Sequence, residues 1–245
     1  MDRSISLWRR GCAEALAAFA LVFTGCGAAV TDARYHGNLG AVGISLVFGL
    51  IIMAMIYATG HLSGAHINPA VTMSFTVTRH FPPRDALAYV VAQCAGAVAG
   101  ALALLAVWTD KPANLGATVP TVGAGSALVY ELLLTAILMF VIMAVATDTR
   151  AVGAAAAIAI GGTVGLDALF GGAVTGASMN PARSFGPALI SGTWTDFWVY
   201  LVGPVLGAAL GAMAYQLVRG TRPRVVSVGE DIASATPDLA TMRAT

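Results

Sequence analysis

Charged residues are scarce in this chain, and their scarcity argues against a soluble domain. Of the 245 residues, 10% are charged and 58% are hydrophobic, whereas soluble domains carry about 25% charged residues. The formal net charge is only +1. The few cations stand at segment ends instead of forming a basic face, so no nucleic-acid partner is expected. The composition predicts an integral membrane protein surrounded by the lipid bilayer.

Cysteines and catalytic signatures are equally sparse. Cys12, Cys26 and Cys94 lie in apolar runs without the spacing of a zinc site or a disulfide framework. We interpret them as small buried hydrophobic residues, and we expect neither a metal nor a cofactor. The sequence contains no H-E-x-x-H and no G-x-S-x-G motif, so an enzyme is not expected.

Apolar stretches, in contrast, are abundant, and six of them are long enough to cross the roughly 30 Å hydrocarbon core of a bilayer as helices. These predicted spans are residues 11–30, 39–58, 86–108, 126–146, 151–170 and 197–218. Cations in short loops concentrate on the cytoplasmic side of a membrane. Most arginines here precede the first span or follow the second, fourth and sixth. Both termini are therefore expected in the cytoplasm, and the membrane is expected to be the inner, or plasma, membrane of the cell.

Two stretches of the chain are nearly identical: SGAHINPAVT begins at Ser63, and TGASMNPARS begins at Thr175. Superimposing them also aligns the third span with the sixth, and both of these spans carry glycines four residues apart, a spacing that favours close helix packing in lipid. Those glycines are Gly96, Gly100, Gly207 and Gly211. Each half contains three spans, so the halves must cross the bilayer in opposite directions. The pattern predicts an inverted repeat with units at about 11–108 and 126–218.

Each repeated stretch is followed by an apolar segment too short to cross the bilayer, so it must enter and return. Asparagine is a favoured helix N-cap and proline is tolerated in the first helical turn, so we expect Asn68 and Asn180 to begin short half-helices. Inverted symmetry would bring their positive ends together near the midplane. Such a site repels cations, while the asparagine amides can donate to a neutral oxygen. Broken helices in inverted repeats also occur in ion-coupled secondary transporters, which stay an alternative.

The paired motifs GHLSGAHINPAVT and GASMNPARSFGPA resemble those of the aquaporin family, also called major intrinsic proteins. The resemblance implies an all-α membrane protein with six transmembrane helices and two re-entrant half-helices that begin at Asn68-Pro69-Ala70 and Asn180-Pro181-Ala182. It also implies a passive channel in each protomer of a homotetramer. The channel domain would be 11–218, preceded by cytoplasmic residues 1–10 and followed by a cytoplasmic tail at 219–245, whose polar composition predicts disorder.

The second motif places Arg183 where the first has Val71, and an arginine inside a membrane is functional by default. The resemblance implies that Arg183 forms a selectivity filter with Phe48, Ala168 and Ala177. Strict water channels usually carry histidine where Ala168 stands, so we expect a wider aperture.

Ser184 and Ala188, however, resemble the water-channel branch instead of the glycerol facilitators. This mixture is similar to the nodulin-like intrinsic proteins and their bacterial relatives. It implies passage of water, glycerol, urea and metalloid hydroxides such as arsenous or boric acid, with exclusion of ions and protons. A strictly water-selective channel stays an alternative.

Other polar residues have less specific signals. Glu14 and Glu131 could relay protons, but we expect them to brace the re-entrant loops by accepting backbone hydrogen bonds. His66 could line the inner vestibule or brace its loop. Asp167 is expected to hydrogen-bond an extracellular loop, and the segment around Lys111 is interpreted as a simple connection.

Overall fold

The computed structural model describes residues 5–147 and 155–220. The helices in these ranges are either long and apolar enough to cross a membrane or short segments that connect such helices in the sequence. The helices are α1 Leu7–Ala20, α2 Gly27–Arg34, α3 Gly40–Ser63, α4 Pro69–Val77, α5 Pro83–Val107, α6 Ala124–Thr147, α7 Ala156–Thr175, α8 Pro181–Ser191 and α9 Val199–Val218. A π-helical turn, Leu21–Cys26, joins α1 to α2. The described residues contain no strand, which confirms the all-α expectation.

Six long apolar helices are present in the described ranges, as predicted, with α1, the π-helical turn and α2 forming one span from Leu7 to Arg34. The predicted ends of the second and fifth spans were too early, because α3 and α7 continue for five residues more. Both helices end where a glycine adopts the left-handed conformation, Gly64 with φ 89° and Gly176 with φ 85°. These glycines are C-caps, so the helices stop at a backbone signal and not at the edge of the apolar run.

The glycines that align between the halves lie where helices touch, α5 against α1 and α9 against α6. A Cβ on Gly96 would overlap the carbonyl oxygen of Ala15, and a Cβ on Gly207 would overlap that of Leu132. Because each helix backbone lies directly on the next, dispersion contacts are gained along the whole crossing. The small-residue motifs therefore mark the helix pairs within each half.

A third close crossing joins the two halves and was not predicted. A Cβ on Gly49 in α3 would lie 2.6 Å from the carbonyl oxygen of Gly161 in α7, and a Cβ on Gly161 would lie 2.6 Å from that of Gly49. The contact is reciprocal, as expected for a pseudo-twofold axis between inverted repeats. The two short helices, α4 and α8, pack inside the ring that the long helices form, α4 against α9 and α8 against α5.

The expectation that all cysteines are buried was wrong for Cys12, which is exposed, whereas Cys94 is half-buried and Cys26 is buried. In a membrane protein the outward faces of the helices contact lipid, so an apolar residue need not be inside the protein. The same reasoning explains exposed side chains such as Leu217, which is 84% exposed. The loop at Arg150 and the tail from residue 221 onward lie outside the described residues.

Replacing Gly207 with alanine tests the close contact between α9 and α6. The added methyl group would meet the backbone of Leu132 and the Cβ of Thr135, the latter at 2.9 Å, so the helices must separate. We expect the Gly207→Ala variant to lose about 1–3 kcal/mol of stability, seen as a lower midpoint of thermal aggregation in detergent. The matched control is Gly125→Ala in α6, where a Cβ has no neighbour within 4 Å. Equal midpoints for the two variants would contradict the packing argument.

Candidate functional site

The two half-helices begin at the asparagines of the repeated motifs. The Asn68 side-chain oxygen accepts from the backbone N–H of Ala70 at 2.9 Å, and that of Asn180 accepts from Ala182 at 3.0 Å. Pro69 and Pro181 occupy the first helical positions, where a missing N–H leaves no hydrogen bond unmade. Each motif therefore forms an N-cap, which satisfies backbone donors that would otherwise be unpaired inside the protein.

The capping asparagines also join the two halves to each other. Asn68 Nδ2 donates to the carbonyl oxygen of Met179 at 2.7 Å, and Asn180 Nδ2 donates to that of Ile67 at 2.9 Å. A primary amide has two N–H donors, so one donor on each asparagine has no role in these bonds. Both asparagines line the same internal cavity, in which the second donor can meet a solute oxygen.

The loop before each half-helix has the same unusual backbone. Positive φ angles occur at Ala65 and Ile67 in the first loop and at Ala177 and Met179 in the second, between 42° and 55°. Left-handed conformations cost non-glycine residues roughly 1–2 kcal/mol each, so other contacts must stabilise these loops. In each half, one buried carboxylate accepts hydrogen bonds from backbone N–H groups of the loop.

Glu14 receives four hydrogen bonds, three of them from the first loop and its flanks. Its Oε1 accepts from Ser63 Oγ at 2.7 Å and from the backbone N–H of His66 at 2.9 Å. Its Oε2 accepts from the backbone N–H of Ile67 at 2.6 Å and from Gln93 Nε2 at 2.8 Å. The side chain is fully buried, so the carboxylate replaces the water that an irregular loop would otherwise need.

Glu131 makes the corresponding contacts in the second half. Its Oε1 accepts from Thr175 Oγ1 at 2.7 Å and from the backbone N–H of Ser178 at 2.8 Å, and its Oε2 accepts from Met179 at 2.8 Å. These three donors belong to the loop or to the helix before it. The geometry thus places this carboxylate behind the loop as an acceptor, in the same way as Glu14.

A pair of tyrosines completes the anchoring and escaped the sequence analysis. Tyr89 in α5 donates to the carbonyl oxygen of Ser63 at 2.8 Å, and Tyr200 in α9 donates to that of Thr175 at 2.6 Å. These carbonyls are the last ones of α3 and α7, which have no intrahelical partner. The only sequence signal is that each tyrosine stands early in the third span of its half.

His66 combines the two roles considered for it. Its Nδ1 lies 3.1 Å from Thr72 Oγ1, and its ring packs against those of Phe75, Phe81 and Tyr89. The side chain is 9% exposed and lies in the wall of the cavity. The ring is therefore fixed by these neighbours and also lines the cavity.

The structure brings the four residues of the expected filter together. Arg183 is buried, its Nη1 donates to the carbonyl oxygen of Gly116 at 2.8 Å, and its guanidinium carbon lies 4.9 Å from the centroid of the Phe48 ring. Phe48, Ala168 and Arg183 line both the inner cavity and a second cavity outside it, while Ala177 lines the inner one. The three shared side chains therefore lie where the two cavities meet, and Ala168 contributes only a methyl group there.

The segment around Lys111 is more than a simple connection, so that interpretation was wrong. It makes a left-handed turn at Pro112–Gly116, and the Gly116 carbonyl binds Arg183. Before this turn, Lys111 Nζ donates to the carbonyl of Ile190 at 3.1 Å. After it, Thr118 Oγ1 lies 2.8 Å from Ser184 Oγ. These contacts use backbone carbonyls and small hydroxyl groups, which leave no recognisable pattern in a sequence. We call residues 111–121 the outer strap.

Asp167 does not hydrogen-bond an extracellular loop, contrary to expectation. Its side chain is completely buried on α7, and neither carboxylate oxygen has a hydrogen-bond partner in the part of the chain that the structure describes. Within the same ranges, no group of three His, Cys, Asp or Glu residues could hold a metal ion.

The electrostatics of the site favour neutral solutes. The N-termini of α4 and α8 both meet the cavity, and a helix N-terminus carries roughly half a positive charge. Arg183 adds a full positive charge where the two cavities meet. Most other wall residues of the inner cavity are apolar, among them Ile52, Leu138, Ile142, Ile160 and Val164. Among the described residues of this lining there is no carboxylate to compensate a cation, whereas a hydroxyl or carbonyl oxygen can accept from the asparagines.

Comparisons with known proteins agree with this geometry. A profile of the family described as major intrinsic protein matches residues 1–215. The chain is 48% identical over 224 residues to Aquaporin NIP1-4 from Oryza sativa subsp. japonica, covering 91% of this chain and 82% of that one. It is 44% identical over 218 residues to Nodulin-26 from Glycine max, covering 89% and 80%. Its fold is similar to the X-ray structure of the aquaglyceroporin from Plasmodium falciparum, with a TM-score of 0.75, 26% identity, and coverage of 93% and 100%.

Glu131→Gln tests the anchoring of the second loop. Glutamine replaces one acceptor oxygen by an NH₂ group, which would face a backbone N–H of Ser178 or Met179 and leave it unpaired. We expect a loss of about 1–3 kcal/mol, measured as a lower thermal midpoint, together with reduced water permeability per reconstituted protein. The control is Asp110→Asn, which removes only the exposed ion pair with Arg34. If Glu131→Gln behaves like this control, the carboxylate does not hold the loop.

Proposed function

The chain belongs to the family of major intrinsic proteins, the aquaporins, and from this premise we propose that its pore admits glycerol, urea and uncharged metalloid hydroxides besides water. It is a multi-pass membrane channel for water and small neutral solutes, and it is not an enzyme. The solute range is our proposal, and the observation that carries it is the methyl group of Ala168 at the junction of the two cavities.

The filter we propose consists of Phe48, Ala168, Ala177 and Arg183. Arg183 supplies a fixed cation and N–H donors, so it favours solutes with oxygen acceptors and disfavours cations. Phe48 supplies an apolar face, which suits the carbon side of a polyol. Ala168, which lines the same two cavities, leaves space that a larger side chain would occupy. Glycerol and urea, as well as arsenous and boric acid, share a small size, no charge at neutral pH and several hydroxyl or amide groups.

Exclusion of ions and protons follows in our proposal from the asparagine pair. A solute oxygen at the midplane accepts from Asn68 and Asn180, so a water molecule there is oriented with its lone pairs toward the protein. This orientation interrupts proton transfer along a file of water, as in aquaporin-type pores in general. Glu14 and Glu131 are not among the described residues that line the inner cavity, and both accept from backbone N–H groups of the loops, so our proposal gives them no part in binding a coupling ion.

We further propose a homotetramer in the plasma membrane with both termini in the cytoplasm. The distribution of arginines between the loops supports the orientation. The outward faces of α3 and α7 form an apolar groove lined by Leu46, Leu50, Ile158 and Leu166 among others. A neighbouring protomer that covers this groove would add helix contacts without exposing polar groups to lipid.

Stopped-flow light scattering of proteoliposomes tests the solute range. We expect fast osmotic shrinkage and, in gradients of glycerol or urea, recovery of volume several-fold faster than in protein-free vesicles. Sorbitol, which is longer, is the control solute and should stay outside. Fast water flux with glycerol and urea excluded would contradict the proposal and favour the strictly water-selective alternative.

Ala168→His tests whether this position faces the solute. An imidazole would fill space where the two cavities meet, so we expect glycerol permeability to fall by about tenfold or more while water permeability falls less. Ala173→His is the matched control, because Ala173 lines the outer cavity but not the inner one. Equal reductions of water and glycerol flux in Ala168→His would show that Ala168 does not set the aperture.

A further inference from the structure

Gly25 lies directly behind the aromatic wall of the proposed filter. It belongs to the π-helical turn Leu21–Cys26 of the first span, and it is buried. A Cβ on Gly25 would overlap the Phe48 ring, with Cδ1 at 2.6 Å and Cζ at 2.9 Å and Cε1 closer still. The ring of Phe48 therefore rests on the backbone of Gly25, in space that any other residue would fill.

The Phe48 ring also borders the space where the two cavities meet. The Arg183 guanidinium lies 4.9 Å from the ring centroid, and Phe48 lines both cavities. The ring thus contacts the first span and lies close to the filter arginine. Packed interiors have no spare volume for an added methyl group, and the open space next to the ring is that of the two cavities. A side chain at position 25 is therefore expected to displace the ring into the passage.

The π-helical turn supports the other wall of the filter as well. Cys26, the next residue, lies against the outer strap, where a Cβ on Gly116 would be 2.9 Å from the Cys26 Cα. Gly116 is the residue whose carbonyl accepts from Arg183 Nη1. The corresponding span of the second half, α6, is a regular α-helix throughout its described length. A π-helical turn in one half only is consistent with a local function, since such turns often occur at functional sites.

We propose that Gly25 is a specificity-determining positioning residue: because it has no side chain, Phe48 can withdraw from the passage, and the width of the filter depends on it. The inference rests on the proposed filter. It extends that filter by a residue that touches no solute and acts through Phe48.

The test is a double-variant cycle in proteoliposomes, read as the ratio of glycerol permeability to water permeability. Gly25→Ala should lower this ratio several-fold in the otherwise unchanged channel. In a Phe48→Ala background the same substitution should leave the ratio unchanged, because the ring that transmits the effect is absent. The matched control is Gly27→Ala two residues away, where a Cβ meets only the flexible Leu104 side chain at 3.2 Å, and it should leave the ratio unchanged.

Each outcome of this cycle decides a different question. An unchanged ratio in Gly25→Ala, or an equal decrease in both backgrounds, overturns the role of Gly25. If Phe48→Ala itself leaves the ratio unchanged, the proposed filter fails and not only the inference. If Gly25→Ala does not fold, adding Phe48→Leu should restore a folded channel, because leucine is smaller than phenylalanine and leaves room for the added methyl group. Failure of the double variant to fold overturns the steric argument.

Discussion

The structure depends on two buried carboxylates that accept hydrogen bonds from irregular backbone in the middle of a membrane. An unpaired backbone N–H in lipid costs several kcal/mol, and the re-entrant loops expose such groups. Glu14 and Glu131 accept hydrogen bonds from these backbone N–H groups. Only because these donors are satisfied can the left-handed residues of the loops persist and the two asparagine caps meet at their tips.

The inverted repeat applies this arrangement twice, and the function arises where the halves differ. Both halves share the carboxylate, the tyrosine, the glycine C-cap and the asparagine N-cap. Arg183, the outer strap that binds it and the π-helical turn behind Phe48 belong to one end of the passage only. The symmetric parts place the asparagine donors between the two half-helices, and the asymmetric parts form the filter that we propose. A selective pore needs both, because the centre alone accepts any neutral oxygen of suitable size.

The sequence predicted what depends on local patterns. Apolar length revealed the six spans, the duplicated Asn-Pro motif revealed the half-helices, and the glycine spacing indicated that the third and sixth spans pack closely, without naming their partners. It did not reveal the hydrogen bonds that the side chains of Tyr89 and Lys111 donate to backbone carbonyls, because any residue can supply a carbonyl. The role proposed for Gly25 was also invisible, since a glycine in an apolar run carries no sign of the ring that covers it. Asp167 shows the opposite case, a conspicuous residue whose expected partner does not exist among the described residues.

The central claim is that the opposed N-termini of the half-helices and their asparagine donors allow neutral molecules to permeate and exclude ions and protons. The most direct measurement is the proton flux into proteoliposomes that enclose a pH-sensitive dye, recorded under a pH gradient and a clamped membrane potential while osmotic water flux is followed on the same sample. The account predicts rapid water movement with proton entry no faster than in protein-free vesicles. A proton flux that rises in proportion to the amount of reconstituted protein would contradict it.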